Sequence, residues 1–215
     1  MTYLKKYTML VALAFGIFFL AGCGGASNTT TTPPSATTQS VSTPGLASTE
    51  QPVPVSNGTQ VSGSDIPDTQ VFVTYASSQG KFQLDTPEGW AQSINGTDVS
   101  FVSNLNAMQV AITSAATAPT ASGVRADQVA TLQQTGRAVR DVQVKDVQLA
   151  SGMAVLITYT SNSDPNGVTG KQVRLENNRY LFYKNGKLAT LTLSAPVGAD
   201  NVDQWARIAN SFKWI

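Results

Sequence analysis

The fold of this chain can be derived outward from residues 180–193, which read YLFYKNGKLATLTL. Asn185-Gly186 separates two runs that are rich in aromatic, leucine and threonine residues. Asn-Gly is the pair that best tolerates positive φ at both central positions of a type I′ turn. The stretch therefore predicts a tight hairpin of two antiparallel strands.

Other strands are predicted on the N-terminal side of this turn. Alternating or continuous apolar residues indicate strands at Val139–Leu149, Met153–Tyr159 and Val173–Tyr183, and the second is apolar on both faces, as expected of an inner strand. Earlier in the chain, strands are predicted at 71–75 and 81–85, with a turn at 86–89. A further hairpin is predicted from the alternation of Val99 and Phe101 with polar residues, a turn at 104–106, and the shared face of Met108, Val110 and Ile112.

Two helices complete the prediction. The first is expected at 124–134, with Ser122 as its N-cap and Gly136 as its stop. The second is expected at 201–211, capped by Asp200, with Trp205 and Phe212 in the core. Strands joined by tight turns form an antiparallel sheet, and amphipathic helices must bury their apolar faces against it. The sequence therefore predicts an α+β domain at 67–215, an antiparallel β-sheet flanked by helices.

This arrangement resembles the PsbP-like proteins, which share a fold with the nuclear Ran-binding Mog proteins. Residues 82–90, FQLDTPEGW, look like the opening strand of the family followed by its Pro-x-Gly-Trp. Residues 180–196, followed by Trp205 and Phe212, look like its final hairpin and helix. The resemblance spans about 70–214 of this chain and implies an α/β/α sandwich.

The resemblance also carries functional expectations. PsbP proteins lie on the lumenal face of photosystem II and assist its oxygen-evolving centre, and the cyanobacterial members are lipoproteins. Many relatives are bacterial lipoproteins without an assigned activity. Because the matching motifs are structural, the resemblance implies a non-catalytic binding or scaffold domain, with a photosystem II role as the alternative. Metal contacts through histidine do not carry over, because this chain has no histidine.

The N-terminus has the features of a bacterial lipoprotein signal at residues 1–22. Lys5 and Lys6 precede an apolar run of about a dozen residues, which is shorter than the roughly 20 needed to span a bilayer. The run ends in Leu20-Ala21-Gly22-Cys23, which resembles the lipobox. Cleavage is therefore expected between Gly22 and Cys23, with the Cys23 thiol joined to diacylglycerol, so that a palmitate analogue should label this residue.

Residues 23–66 are expected to form a disordered tether. They are rich in serine, threonine and proline and poor in residues that build a core. Such a segment would hold the domain away from the membrane, on the extracytoplasmic side at the cell surface. The expected partners are the membrane, through lipidated Cys23, and an unidentified protein.

Composition excludes several classes of function. The chain has 14 Lys and Arg, 13 Asp and Glu, no histidine and one cysteine. It therefore lacks Ser-His-Asp and Cys-His machinery, histidine-ligated metals and intrachain disulfides. A nucleic-acid surface is not expected either, because such a surface requires clustered positive charge. No cofactor and no metal site is predicted.

Five groups of residues are candidate sites. Residues 162–167 have alternating oxygen side chains before a glycine, but the twelfth position of a calcium loop is Val173, so a turn is the preferred interpretation. Glu88 and Glu176 are considered as a carboxylate pair for a hydrolase. Ser161 and Lys171 are considered as a Ser-Lys pair. The spacing of neither pair favours catalysis. Arg125, Arg137, Arg140 and Lys145 are considered as a mildly basic surface, but Asp127, Asp141 and Asp146 interleave with them, so a solvated face of mixed charge is the preferred interpretation. Trp90, Tyr180 and Tyr183 are considered as an exposed aromatic patch, but core packing is preferred for Trp90.

Overall fold

The structure is a computed structural model that describes residues 50–55 and 64–215. Its strands are β1 (Phe72–Ser77), β2 (Phe82–Pro87), β3 (Ala91–Asn95), β4 (Asp98–Ser103), β5 (Asn106–Ser114), β6 (Arg140–Leu149), β7 (Gly152–Asn162), β8 (Arg174–Lys184), β9 (Lys187–Pro196) and β10 (Lys213–Trp214). Its helices are α1 (Ala121–Thr135), between β5 and β6, and α2 (Val202–Ser211), between β9 and β10. The signal at 1–22, Cys23 and most of the expected tether lie outside the described residues.

The strands form two antiparallel sheets. The larger sheet has seven strands in the order β3-β4-β5-β9-β8-β7-β6, and the smaller has three in the order β1-β2-β10. All pairings are antiparallel. The predicted α+β class, an antiparallel sheet flanked by helices, is confirmed.

The large sheet separates two cores, because alternate side chains of its strands point to opposite faces. On β7, Leu156 packs into the core that contains α2 and the small sheet, whereas Ile157 packs into the core beneath α1. β7 lies between β6 and β8, as its apolar residues on both faces predicted. Trp205 and Phe212 are buried in the α2 core, as expected.

The Asn-Gly turn has the predicted geometry. Asn185 has φ 49° and Gly186 has φ 78°, and the register pairs Lys184 with Lys187 across the turn. Strands β8 and β9 extend from it for about ten residues each, so this hairpin forms the middle of the large sheet. The local signal at Asn185-Gly186 therefore positions the two strands that the rest of the sheet joins.

The caps of both helices differ from the prediction. The N-cap of α1 is Thr120, not Ser122, because Thr120 is extended and its Oγ1 accepts the Gly123 N–H at 3.2 Å. The predicted stop is confirmed, since the Gly136 N–H donates to the Leu132 carbonyl. The N-cap of α2 is Asn201, not Asp200. The Asn201 side chain bonds the tertiary structure instead of the helix, since its Oδ1 accepts the Ile66 N–H at 2.6 Å.

Two strands were not predicted. β3 is an edge strand whose five residues are all exposed, so it has no buried alternation to reveal it. β10 has only two residues and pairs with β2 at Gln83 and Phe82. Both strands depend on a neighbouring strand to define them, and a sequence pattern alone does not show that neighbour.

Among the described residues, no helix is both long enough and apolar enough to cross a membrane. The expected tether is described in two places, 50–55 and 64–66. Both make specific contacts with the domain: the Val53 N–H donates to Asn162 Oδ1 at 3.0 Å, and the Ser64 carbonyl accepts from Asn106 Nδ2 at 2.9 Å. These contacts place residues 50–55 and 64–66 against the domain.

Candidate binding groove

One face of the large sheet is only half covered. Beneath α1, strands β6, β7 and β8 present apolar residues such as Val144, Val155 and Leu181, which pack against Val124 of the helix. The neighbouring strands β9 and β5 present small and polar residues on the same face: Thr190, Thr192 and Ser194 from β9, and Ala107, Gln109, Ala111 and Thr113 from β5. A groove therefore runs between α1 and the uncovered half of the sheet.

This groove has a volume of roughly 760 Å³. Its helical wall includes Asp127, Gln128, Thr131 and Thr135, its floor includes Gln109, Tyr159, Ser161 and Arg179, and its end is formed by Arg137, Asn162, Ser163 and Asp164. Hydroxyl, amide and charged groups predominate. The groove can therefore form many hydrogen bonds with a bound molecule.

Arg179 on β8 is the basic residue of the floor. Its Nε donates to Thr192 Oγ1 at 3.3 Å, and its Nη2 donates to Tyr159 Oη at 3.2 Å. The guanidinium carbon also lies 5.4 Å from the centre of the Tyr159 ring. These partners belong to the strands on either side of β8, so they hold the guanidinium in one orientation.

Tyr159 remains protonated at neutral pH. Burial raises the pKa of its phenol, and the nearby Arg179 charge opposes that shift without cancelling it. A phenol with a raised pKa keeps its proton and can serve as a hydrogen-bond donor as well as an acceptor. Tyr159 therefore contributes polarity but no charge to the floor.

Asn177, which is buried on β8, links two hydroxyl groups on this face. Its Nδ2 donates to Ser161 Oγ at 3.0 Å, and its Oδ1 accepts from Ser194 Oγ at 2.6 Å. The bonds run to β7 on one side and to β9 on the other. A floor whose polar groups are fixed by one another loses little entropy when a ligand binds.

Residues 50–55 lie against the end of the groove. Arg137 forms ion pairs with Asp164 at 2.8 Å and with Glu50 at 3.1 Å. Glu50 Oε1 also accepts from Asn162 Nδ2 at 2.9 Å and from Gln172 Nε2 at 2.6 Å. These hydrogen bonds, that of Asn162 first, lower the pKa of the Glu50 carboxyl below its ordinary value. The same contacts with Asp164 and Glu50 raise the pKa of Arg137.

Residues 162–167 lie where β7 ends and its connection to β8 begins, and the turn of that connection is at 167–169. Asn162 ends β7 and is buried, and the remaining residues belong to the connection from β7 to β8. Asn166 Oδ1 accepts the backbone N–H groups of Val168 and Thr169, both at 3.0 Å. Within 50–55 and 64–215, no three Asp, Glu, His or Cys residues are grouped so as to hold a metal ion.

The candidate catalytic pairs occupy separate environments. Glu88 is exposed in the turn after β2, whereas Glu176 is half-buried on β8 in a cavity beside Trp205 of α2. Burial raises the pKa of the Glu176 carboxyl. Ser161 lies on the groove floor and accepts from Asn177, while Lys171 is exposed in the loop after β7 and lines a different cavity.

The residues of the expected basic surface are engaged in local structure. Arg125 donates to the Val144 carbonyl and Arg140 to the Val139 carbonyl. Of the interleaved acids, Asp146 accepts the Ala121 N–H at the start of α1, and Asp141 accepts from the Thr160 hydroxyl. Lys145 is exposed on β6, and Arg137 and Asp127 belong to the groove. The structure thus shows a mixed surface in which many of the charges have local partners.

Trp90, Tyr180 and Tyr183 do not form an exposed aromatic patch, and the preferred interpretation of Trp90 as a residue that packs with the core is confirmed. Tyr180 is buried and stacks on Phe182 in the α2 core, with ring centres 6.2 Å apart. Trp90 is half-buried and packs against the same core. The Tyr183 hydroxyl accepts the Gly186 N–H at 3.2 Å and so supports the hairpin turn. These three side chains serve packing and do not form a shared exposed surface.

Arg179, Asn177 and the contacts of Glu50 were not predicted from the sequence. A signal for the first two exists in β8, which reads RLENNRYLFYK. Asparagine and arginine within an inner strand must find hydrogen-bond partners, because burying them unpaired is costly. The position of Glu50, 112 residues away from Asn162, has no comparable local signal.

Comparisons with known proteins give a likeness of structure only. No family model and no curated protein matches the sequence. Among solved structures, the chain is similar to the cyanobacterial PsbP of Synechocystis, with 16% identity, a TM-score of 0.48 and coverage of 70% of this chain and 98% of that one. It is also similar to the yeast Ran-binding protein Mog1p from Saccharomyces cerevisiae, with 7% identity, a TM-score of 0.44 and coverage of 68% and 96%.

A protein from Bacteroides thetaiotaomicron is similar too, with 10% identity and a TM-score of 0.41. That alignment covers 66% of this chain, which spans 48% of the length of the Bacteroides protein. The resemblance stated from sequence thus recurs among solved structures. At these identities and TM-scores it assigns no function to the groove.

Proposed function

We propose that this protein is a lipid-anchored extracytoplasmic protein whose folded domain binds another molecule and does not catalyse a reaction. The anchor is supported by the N-terminal sequence, in which Leu20-Ala21-Gly22-Cys23 follows a short apolar run. Cys23 is the only cysteine in the chain. Each buried acyl CH₂ contributes about 0.8 kcal/mol, and the two chains of a diacylglycerol give stable attachment.

The observation that carries the binding role is the uncovered polar half of the sheet beside α1. An antiparallel sheet needs only one covered face, and here α1 covers the second face over β6, β7 and β8 but leaves the polar half over β9 and β5 open beside it. On the open half, Thr192, Ser194 and Gln109 present polar side chains. Asn177 and Arg179 are held there by hydrogen bonds with side chains of neighbouring strands. A rigid polar floor bounded by a helix favours specific hydrogen bonding with a ligand or partner.

The ionisable groups of the groove support binding over catalysis. Asp164 and Arg137 form an ion pair, and the raised pKa of Tyr159 keeps its proton in place. A general acid or base works best with a pKa near the operating pH. The environment moves Tyr159 and Arg137 away from that range, because it raises pKa values that are already basic.

Anchoring is tested by growing bacteria that express the chain with a clickable palmitate analogue. The wild-type protein should be labelled and found in the membrane fraction, and Cys23→Ser should be unlabelled. Ser27→Ala changes a hydroxyl just beyond the expected modification site and should leave labelling unchanged. Persistent labelling of Cys23→Ser would contradict the proposed anchor.

The binding role is tested by purifying the lipidated protein gently from its own membranes and measuring its intact mass under non-denaturing conditions. A stoichiometric protein or a small-molecule adduct is expected. A mass equal to that of the lipidated chain alone, at every protein concentration tested, would count against the binding role.

A further inference from the structure

Arg179 has N–H groups available to a ligand. Two of its five N–H donors go to Tyr159 and Thr192, so three remain. The ion pairs among the described residues join Arg137 to Glu50 and Asp164, and Arg207 to Asp85. Arg179 thus has no carboxylate partner within 50–55 and 64–215. A half-buried guanidinium with unused donors favours binding of an anion.

The charge of the groove limits the kind of anion. Besides Arg179, the charged residues of the groove and its end are Arg137, Asp127, Asp164 and Glu50, so two positive charges face three negative charges. A ligand with several negative charges would be repelled by these three carboxylates, whereas a single carboxylate can pair with Arg179 in the two-bond geometry that a guanidinium favours. The balance therefore favours a monocarboxylate.

The floor indicates what the rest of the ligand is. Strands β5, β9 and β8 are inner strands whose backbone groups already pair on both sides. An extended peptide therefore finds no free strand edge here. The groups that project into the groove are side-chain hydroxyls and amides, including Gln109, Ser161, Thr131 and Thr135. Such groups can both donate to and accept from the hydroxyl groups of a sugar.

We propose that the groove beside α1 binds a sugar acid of the uronic acid type, with the sugar carboxylate paired to Arg179. This inference rests on the proposed binding role and specifies its ligand. Tyr159 and Thr192 hold the guanidinium in place, and the hydroxyl and amide side chains of the groove bind the sugar hydroxyls. The volume of roughly 760 Å³ lies within the range of about 300–1,000 Å³ for small-molecule sites.

The test is a titration of the full lipidated chain in detergent micelles with D-glucuronate, followed by backbone amide NMR. Saturable shifts are expected at residues of β8, β9 and α1 that line the groove. Glucose, which lacks the carboxylate, should bind at least about tenfold more weakly, because a hydrogen bond to a charged group contributes about 1.5–3 kcal/mol. Affinity should also fall as salt is added.

Variants locate the interaction. Arg179→Gln should weaken glucuronate binding at least about tenfold. Arg179→Lys, which keeps the charge but loses the planar fork, should bind with intermediate affinity. Lys145→Gln removes one positive charge from an exposed position on β6 outside the groove and should bind as the wild type does. Circular dichroism checks that each variant is folded.

Four results would overturn the proposal. Equal affinity of wild type and folded Arg179→Gln would exclude the role of Arg179. Equal affinity for glucose would exclude recognition of the carboxylate, and tighter binding of glucose 6-phosphate would indicate a phosphate site. Absence of glucuronate binding, together with a protein partner in the native mass measurement, would refute this inference while leaving the proposed binding role intact.

Discussion

Arg174 is a buried cation that joins the ends of three strands. It lies on β8 and donates to the Ala138 carbonyl before β6, at 2.7 Å, and to Asn162 and Thr160 of β7, at 3.1 and 2.6 Å. Burial lowers the pKa of its guanidinium, and the nearby Asp141 charge opposes that effect. Neutral oxygens therefore replace most of the solvation that Arg174 loses.

Replacing Arg174 with methionine should destabilise the fold. The change leaves the Ala138 carbonyl and two side-chain oxygens without this donor, and an unsatisfied buried group costs about 1–3 kcal/mol. The free energy of unfolding in urea should fall by about 3 kcal/mol. Arg207→Met, at an exposed position on α2, is the control and should lower the free energy of unfolding by about 1 kcal/mol or less. Similar losses for both variants would contradict this role of Arg174.

The pKa of the Glu50 carboxyl provides a second prediction for a single residue. The contacts of Glu50 lower the pKa of its carboxyl in the folded state. They therefore stabilise the fold at pH values above the unfolded-state pKa, and this stabilisation is lost as the pH falls through the folded-state pKa. NMR titration of the Glu50 carboxyl carbon should therefore give a pKa below 4.5. Gln172→Ala, which removes one donor to this carboxylate, should raise it.

Val168→Ala is the control for the Glu50 titration. Val168 is 95% exposed in the loop that also contains Gln172. The Glu50 pKa should therefore not change in this variant. A wild-type value at or above 4.5 would show that residues 50–55 do not form the described contacts.

At the level of elements, the start of α1 depends on two side chains. Thr120 accepts the Gly123 N–H, and Asp146 of β6 accepts the Ala121 N–H at 3.0 Å. A carboxylate at this end also interacts favourably with the helix dipole. These contacts satisfy two of the backbone donors that a helix leaves open at its N-terminus.

Thr120→Ala should lower the free energy of unfolding by about 1 kcal/mol, because it removes the N-cap. Ser122→Ala is the matched control. Since Ser122 lies within the helix and alanine has a higher helix propensity, this change should leave stability unchanged or raise it slightly. Chemical denaturation measures both. A larger loss for Ser122→Ala would restore Ser122 as the cap.

The β8–β9 hairpin gives the next prediction. Gly186 has φ 78°, where a side chain costs about 1–2 kcal/mol, so Gly186→Ala should reduce stability by that amount. Gly167→Ala is the control, because Gly167 is exposed, has open space for a Cβ and does not have a positive φ of this kind. It should be neutral or slightly stabilising. Equal losses in thermal or urea unfolding would argue against the type I′ turn.

At the scale of the molecule, the two cores share strands. β7 and β8 supply side chains to both, for example Leu156 to the α2 core and Ile157 to the α1 core. All three tryptophans, Trp90, Trp205 and Trp214, pack in or against the α2 core. The cores are therefore expected to unfold in one cooperative transition.

Ile157→Ala tests this coupling. Ile157 is 1% exposed, and its truncation should cost about 2–5 kcal/mol. If the cores unfold together, tryptophan fluorescence should shift its urea midpoint by as much as far-UV circular dichroism does. Leu191→Ala in the α2 core is the control and should shift both signals as well. An unchanged tryptophan transition in Ile157→Ala would show independent cores.

Much of the fold was predictable because its signals are local. The Asn185-Gly186 turn, the two-faced burial of β7 and the stop of α1 at Gly136 each depend on a few consecutive residues. Backbone φ preference and side-chain periodicity act over such distances, so they can be derived from the sequence. The N-terminal prediction, with Cys23 as the lipidated residue, also rests on a local motif and remains a prediction.

The site was decided by tertiary structure. Periodicity shows which face of a strand a residue occupies, but it does not show which strand lies beside it. In the structure β5 pairs with β9, and Met108 lies opposite Leu193. That pairing places Gln109 beside Thr192 on the face where Arg179 lies, and α1 covers only the other half of that face. The sequence by itself determined both helices, the strands other than β3 and β10, and the buried faces of these elements. Contacts between distant residues decided the groove, because those contacts exist only once the sheet has assembled.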